Sequence, residues 1–238
     1  MASFEHLEEM VTGLYDRGKE LPVNRQVISI GSWVILKSGL YSPYLINMRP
    51  ALSLDTQSQV SVDDQRRHRT MLLDAFGEKI DIVRAKRPFH HLFGSPEAGT
   101  PLAAAIAEHT GDSVLWKRVA NKSDRGAHEL LEGAWLPGQR VVRIDDVVTT
   151  AKTKEEDAAF FEETGLVYDD VVVGVDRQQG GRQTLEAQGQ HLSSVVEVTQ
   201  IFDILHDAGR LNTAQYDYLL EYPAMPPITQ QPQQHPWQ

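Results

Sequence analysis

Apolar residues at Phe4, Leu7, Met10, Val11 and Leu14 recur at helical spacing behind Ser3, whose hydroxyl suits an N-cap, and Gly18 and Pro22 close the segment. Residues 27–36 (VISIGSWVIL) are apolar and β-branched around a Gly-Ser pair, which predicts one strand or two short ones. Tyr44–Met48 reads as extended, and residues 62–76 as a helix ending in Met71, Leu72, Leu73 and Phe76. Ile80–Val83 is a separate short apolar run. Strands are then expected at 91–94, 114–116, 141–144, 171–175 and 195–198, with helices at 101–109, 153–164, 181–188, 200–208 and 213–221. Short strands alternating with helices of about ten residues predict an α/β fold, a mostly parallel sheet covered by helices on both faces. Right-handed crossovers bring the strand C-termini, and any ligand site, to one edge. Residues 222–238 (YPAMPPITQQPQQHPWQ) are rich in Pro and Gln and are expected to lack fixed structure.

Composition narrows the chemistry. The chain has 238 residues, 41% of them hydrophobic and 24% charged, as in an ordinary globular protein. Its net charge of -10 argues against coating nucleic acid or an anionic membrane. There is no cysteine, which removes disulfides, thiolate catalysis, thiolate zinc sites and iron–sulfur clusters. No apolar run approaches the roughly 18 residues of a membrane span, and the first residues lack a secretory pattern, so a cytoplasmic protein is expected. His90 and His91 are adjacent on an expected strand with no carboxylate near in sequence, a poor arrangement for holding a metal.

The most informative stretch is residues 141–153, VVRIDDVVTTAKT. An apolar strand ends in Asp145 and Asp146, a small hydroxyl-rich turn follows, and a helix opens. Backbone amides at a helix start attract anions, and Thr149, Thr150 and Thr153 add hydroxyl donors. Two carboxylates beside them accept hydrogen bonds from sugar hydroxyls or face a magnesium shell. Phosphate donors next to diol acceptors describe a ribose 5-phosphate site. Alone, an Asp-Asp pair is equally a strand end capping a turn. The whole array resembles the phosphoribosyl-pyrophosphate (PRPP) signature of type I phosphoribosyltransferases. Two residues depart from that pattern. Ala151 stands where the family usually has Gly, which matters if the position needs positive φ. Arg143 stands where an apolar residue is usual, and a charge in a covered strand needs a partner.

Four further segments resemble the orotate phosphoribosyltransferases within that class. LKSGLYSPYLINMR (36–49) matches the base-binding segment; the resemblance assigns Lys37 to the pyrophosphate end and the orotate edge, and the backbone of Leu45 and Ile46 to the pyrimidine. FGSPEAGTPLAAAIAE (93–108) matches the pyrophosphate loop, with Glu97, Ala98, Gly99 and Thr100 at a helix start. VDRQQGG (175–181) matches the segment whose arginine, here Arg177, meets the orotate carboxylate, a task suited to a bidentate guanidinium. Residues 117–133 are polar, basic and Gly-containing and match the mobile catalytic loop, with Lys117, Arg118 and Lys122 as its cations and Glu132-Gly133 as its close. The basic stretch RAKRPFHH (84–91) falls outside the pattern.

The resemblance implies one phosphoribosyltransferase domain over 1–221, with a small base-binding hood at 1–60 and a PRPP-binding core at 61–210. It implies transfer of phosphoribosyl from PRPP to N1 of orotate, giving orotidine 5′-monophosphate and pyrophosphate, in UMP biosynthesis. Magnesium would come with PRPP and water, near Asp145 and Asp146 and without direct protein ligands. The 5-phosphate would sit among Val147, Val148, Thr149, Thr150, Ala151, Lys152 and Thr153, with Thr149 also near the base. Lys117, Arg118 and Lys122 would close as a lid shared across a homodimer. The other readings are an enzyme of this class for another base, and a PRPP-binding regulator without turnover.

Overall fold

The computed structural model describes residues 4–36, 39–118, 130–151, 154–233 and 237. The chain forms two compact units, one of residues 73–195 and one of residues 2–72 with 196–238.

The 73–195 unit is built on a six-stranded sheet. Its strands are β3 (His91–Gly94), β4 (Val114–Lys117), β5 (Leu131–Glu132), β6 (Arg140–Val148), β7 (Val167–Asp176) and β8 (His191–Glu197), in the order β5-β4-β3-β6-β7-β8. β3 pairs in parallel with β4 and β6, and β6 with β7; β5 runs antiparallel to β4 at the edge. Besides the later part of α2 (Val62–Lys86), the helices of this unit are α3 (Gly99–Thr110), α4 (Lys154–Thr164) and α5 (Gly181–Ala187). α3 packs on β3, β4 and β6, and α4 on β7. One apolar cluster gathers Phe93, Leu115, Val141, Phe160 and Phe161, with the Phe93 and Phe161 rings edge to face at 4.8 Å. A second gathers Val148, Ala151, Val171, Val173, Leu185 and Leu192.

The structure changes several expected boundaries. α2 runs over Val62–Lys86, absorbing the apolar run at 80–83. Phe76, Ile80 and Val83 are all buried and extend the face of Leu72 and Leu73 at helical spacing, so the helix has no reason to stop at 76. β7 begins four residues earlier than expected, and β8 occupies His191–Glu197 instead of 195–198. The histidine pair serves local structure. His91 bonds Ser113 Oγ at 2.8 Å and Gln139 Oε1 at 2.9 Å, and His90 Nδ1 accepts the Arg140 amide at 3.1 Å.

The other unit contains α1 (Phe4–Gly18), the antiparallel pair β1 (Ile28–Ile35) and β2 (Tyr41–Ile46), and the helices α6 (Val198–Asp207) and α7 (Thr213–Glu221). α1 packs on β1 and on α6, which packs on α7. Gly31, at φ +99°, sits in the irregular register between Ile30 and Val34. The Pro/Gln-rich segment is anchored at its start, against expectation. Tyr222 is buried, its hydroxyl donates to Tyr41 O at 2.9 Å, and the Tyr41 amide donates to Ile228 O at 2.9 Å.

His68 on α2 is buried against the Gly13 backbone, where an added Cβ would meet its ring at 2.2 Å. Burial holds its pKa below the ordinary value, helped by Arg67 and Arg17 and opposed by Glu9 and Asp64. The unfolded chain therefore takes a proton at His68 from about pH 6.5 downward while the folded chain resists it. Stability is fully present above that pH and falls as pH drops toward the folded pKa. Thermal unfolding followed between pH 7.5 and 5.5 is expected to show a loss that shrinks by about 1 kcal/mol in His68→Phe, which keeps a ring and removes the titration.

Candidate active site

Three loops meet at one edge of the parallel sheet, after the C-terminal ends of the neighbouring strands β3, β6 and β7. That edge is where open α/β sheets bind ligands. Each loop holds one non-glycine residue with positive φ: Glu97 at 69°, Ala151 at 56° and Gln178 at 56°. Among the described residues these are the non-glycine positions of that kind. Each stores about 1–2 kcal/mol of backbone strain, and such strain collects where a backbone must face a ligand.

The first loop joins β3 to α3. The Ser95 amide donates to Ile144 O on β6 at 3.0 Å, and the Thr100 hydroxyl donates to Ser95 O at 3.2 Å. Gly99 opens α3 so close to β6 that an added Cβ would lie 2.4 Å from Ile144 O. The helix start, with Glu97 exposed and Ala98 and Thr100 half-buried, is thereby pressed onto the end of β6.

The second loop begins later than expected. β6 continues through Asp145 and Asp146 to Val148, with Asp145 opposite Val173 and Val147 opposite Val175 on β7. The pairing strand β7 overrides the low strand propensity of the two carboxylates, and the turn starts at Thr149. Consecutive strand positions send Asp145 and Asp146 to opposite faces of the sheet. Asp145 Oδ1 accepts the Asp146 amide at 2.9 Å, and Asp146 Oδ1 accepts the Val147 amide at 2.8 Å. Thr149 is half-buried, Thr150 is exposed, and Lys152 and Thr153 lie outside the described residues.

Arg143 has the partner its buried position demanded. Its Nε donates to Ser95 Oγ at 2.6 Å, and its guanidinium lies 3.5 Å from Asp145 Oδ2. Ser95 thus links the first loop to the second, a role the sequence reading missed. The available signal was a buried-strand arginine with a small hydroxyl residue just past the end of another strand.

The third loop follows β7. Asp176 is buried, its Oδ1 accepts the Gln178 amide at 2.8 Å, and its Oδ2 pairs with Arg182 at 3.0 Å. The Arg177 amide donates to Val148 O at 3.0 Å, and the Arg177 side chain is buried, with 3% of the residue exposed. Gly181 approaches Thr149 so closely that a Cβ would sit 2.4 Å from its carbonyl oxygen. The Arg177 and Thr149 segments are therefore held side by side.

Lys117 ends β4 and Arg118 follows it. The Lys117 ammonium sits 4.6 Å from the Phe160 ring centroid. Arg118 pairs with Glu132, and its amide donates to Leu130 O at 2.7 Å. Both are engaged beside β5, with Lys117 opposite Leu131. Leu45 and Ile46 are on β2 in the other unit, opposite Ser29 and Ile28. Lys37 and Lys122 lie outside the described residues.

Ala151 is tolerated at φ +56° because its methyl is sealed in the cluster with Val148, Val171 and Leu185. Burying a methyl gains about 0.8 kcal/mol, close to the strain. Ala151→Gly is expected to leave stability within about 0.5 kcal/mol. Ala151→Val, whose branched side chain resists positive φ, is expected to lose about 2 kcal/mol in chemical denaturation.

No family model matches the chain. It is 33% identical over 208 residues to the uridine 5′-monophosphate synthase of Bos taurus, covering 87% of this chain and 38% of that one. The chain thus spans well under half of that relative. It is 30% identical over 209 residues to the orotate phosphoribosyltransferase of Saccharolobus solfataricus, covering 85% of this chain and 94% of that one. The solved orotate phosphoribosyltransferase of Aeropyrum pernix superposes with a TM-score of 0.58 at 24% identity, over 84% of this chain and 99% of that one. The parallel sheet, its flanking helices and this likeness define a type I phosphoribosyltransferase fold. Within that class, the chain belongs to the orotate phosphoribosyltransferase family.

Proposed function

We propose that the chain transfers phosphoribosyl from PRPP to N1 of orotate, giving orotidine 5′-monophosphate and pyrophosphate. The observation that carries this reading is the convergence of three strained loops at adjacent strand ends in a member of this family. The amides at the start of α3, from Glu97 to Thr100, take the pyrophosphate. Thr149, Thr150 and the following turn take the 5-phosphate. Asp145 and Asp146 accept the ribose hydroxyls, Asp145 being braced from below by Arg143. Arg177 takes the orotate carboxylate, and the sequence resemblance assigns Lys37, Leu45 and Ile46 to the base. As C1 loses pyrophosphate, positive charge grows on the ribose and negative charge on the leaving group, so the carboxylates and the loop cations stabilise separated charges.

The donor set fits a magnesium ion that arrives with the substrate. Among the described residues no three His, Asp or Glu form a metal cluster. Asp145 and Asp146 sit on opposite faces of one strand, so either carboxylate would hold the ion only together with pyrophosphate, ribose and water oxygens. Magnesium there would neutralise the leaving pyrophosphate.

Lys117, Arg118 and Lys122 form the lid of this reading, which requires Lys117 and Arg118 to leave Phe160 and Glu132 on closure. We also propose a homodimer in which this lid is shared. Light scattering should give twice the chain mass, and mixing a loop variant with a base-site variant should restore activity.

The test of function is pyrophosphate release from PRPP and magnesium. Release that depends on orotate supports the reading. Release with a purine and none with orotate assigns another base, and tight PRPP binding without release under any base assigns a regulator. Lys122→Ala is expected to lower kcat by about a hundredfold with little change in substrate affinity. An unchanged kcat would remove it from catalysis.

A further inference from the structure

We propose that the unit formed by residues 2–72 and 196–238 carries a second oxyanion site, in a cavity walled by Arg17, Arg25 and Arg49, that binds the phosphate group of a small molecule. The cavity has a volume of about 400 Å³, within the usual range of small-molecule sites. Every residue lining it falls between 17 and 57, so none belongs to the three loops of the phosphoribosyl site.

Arg17 is the core of the case. It lies in the last turn of α1 and is 2% exposed. Its terminal nitrogens donate to Ala51 O and Ser53 O. Its Nε finds no acceptor among the described residues. A buried charged donor left unfilled costs about 1–3 kcal/mol or more. Burial lowers the Arg17 pKa, and Arg69 adds to the effect, while Asp55 opposes it.

The rest of the wall has the same sign. Arg25 is bound to Asp55, with Nε to Oδ2 at 2.9 Å, and to Gln57 Oε1 at 2.6 Å, which fixes its plane. Arg49 is exposed and oriented by Asn47 Oδ1 at 3.0 Å. Asp55 is the one carboxylate among the lining residues, so three guanidinium charges less one leave a formal +2. That balance matches a phosphate dianion, and planar guanidinium forks suit its oxygens. The Thr56 hydroxyl on the same wall supplies a neutral donor, while the Ser53 hydroxyl donates to Pro50 O at 3.2 Å.

The proposal does not rest on the phosphoribosyltransferase reaction, and its test reads Arg17 directly. The full chain, labelled with 15N, is titrated with inorganic phosphate while the Arg17 Nε–H resonance is followed, assigned by its loss in Arg17→Gln. A local signal separates this cavity from phosphate captured at the catalytic loops. A saturable shift is expected, weakened about fivefold or more in Arg49→Gln, which removes one charge-assisted contact. Should Arg17→Gln fail to fold, Arg49→Gln alone carries the comparison and residue-selective labelling makes the assignment. Ribose 5-phosphate is the second probe. Tighter binding than inorganic phosphate identifies a phosphoester as the occupant, and weaker binding identifies the free ion; either upholds the site. An Arg17 signal that stays still, or that moves equally in chloride of matched ionic strength, overturns it.

Discussion

Arg177→Ala is expected to raise the KM for orotate about a hundredfold while the KM for PRPP changes less than about threefold. The estimate takes a bidentate guanidinium–carboxylate pair at about 3 kcal/mol, the upper end for charge-assisted hydrogen bonds, because Arg177 is buried and water screens the pair little. The backbone of Arg177 has a separate task, since its amide closes β7 onto Val148 of β6, and alanine preserves that bond. The side chain can therefore be removed without cutting the link between the two loops. Arg177→Lys keeps the charge and loses the fork, so an intermediate rise of about tenfold is expected. A purely structural arginine predicts a different pattern: both KM values rise together, and the unfolding midpoint falls by a similar amount in the alanine and lysine variants. Steady-state kinetics with each substrate varied in turn, alongside thermal unfolding, separates the two roles.

The parts of the site legible in the sequence were those set by local rules. The alternation of short apolar runs with helices located β3, α3, β4, β6, β7 and α5, because strand and helix periods differ and Gly and Pro mark the turns. The helix behind the turn at 97–100 followed from residue type alone, whereas the hydroxyl-rich turn expected directly after Asp146 begins only at Thr149. What escaped was set by partners distant in sequence. β6 runs through two aspartates because β7 pairs beside them. α2 continues to Lys86 because Ile80 and Val83 find buried surroundings that no local pattern reveals. Arg143 read as an anomaly until Ser95, 48 positions earlier, supplied its acceptor. Tyr222 sat in a segment whose composition suggested no fixed structure, yet its ring packs edge to face with Tyr44 at 5.7 Å. Positive φ at Glu97 and Gln178 carried no residue signal at all, since neither type is typical of that region. At Ala151 the family comparison gave the only hint, and the structure bears out the conformational demand it implied.

Gly99→Ala is the substitution expected to damage PRPP use most for the smallest chemical change. Its new Cβ would fall 2.4 Å from Ile144 O and 2.8 Å from Ser95 Cβ. Ile144 cannot yield, because β6 is paired there on both sides, to Gly94 of β3 and Val172 of β7. The same carbonyl oxygen already accepts the Ser95 amide. The start of α3 must lift instead, and Glu97, Ala98 and Thr100 move with it. A shift of about 1 Å in a positioning element costs on the order of a hundredfold in rate, so kcat/KM for PRPP is expected to fall by about that factor. Folding stability should drop by about 1–3 kcal/mol, as for other overpacked sites. Gly77→Ala is the matched control. Its Cβ would meet only Thr110 Cγ2 at 3.4 Å, in the interior of α2. There alanine is expected to add about 0.5–1 kcal/mol of stability and leave the kinetics unchanged. If both variants behaved alike toward PRPP, the close approach of α3 to β6 would have no part in seating the pyrophosphate, and the loop after β3 would reduce to a strand-to-helix connection.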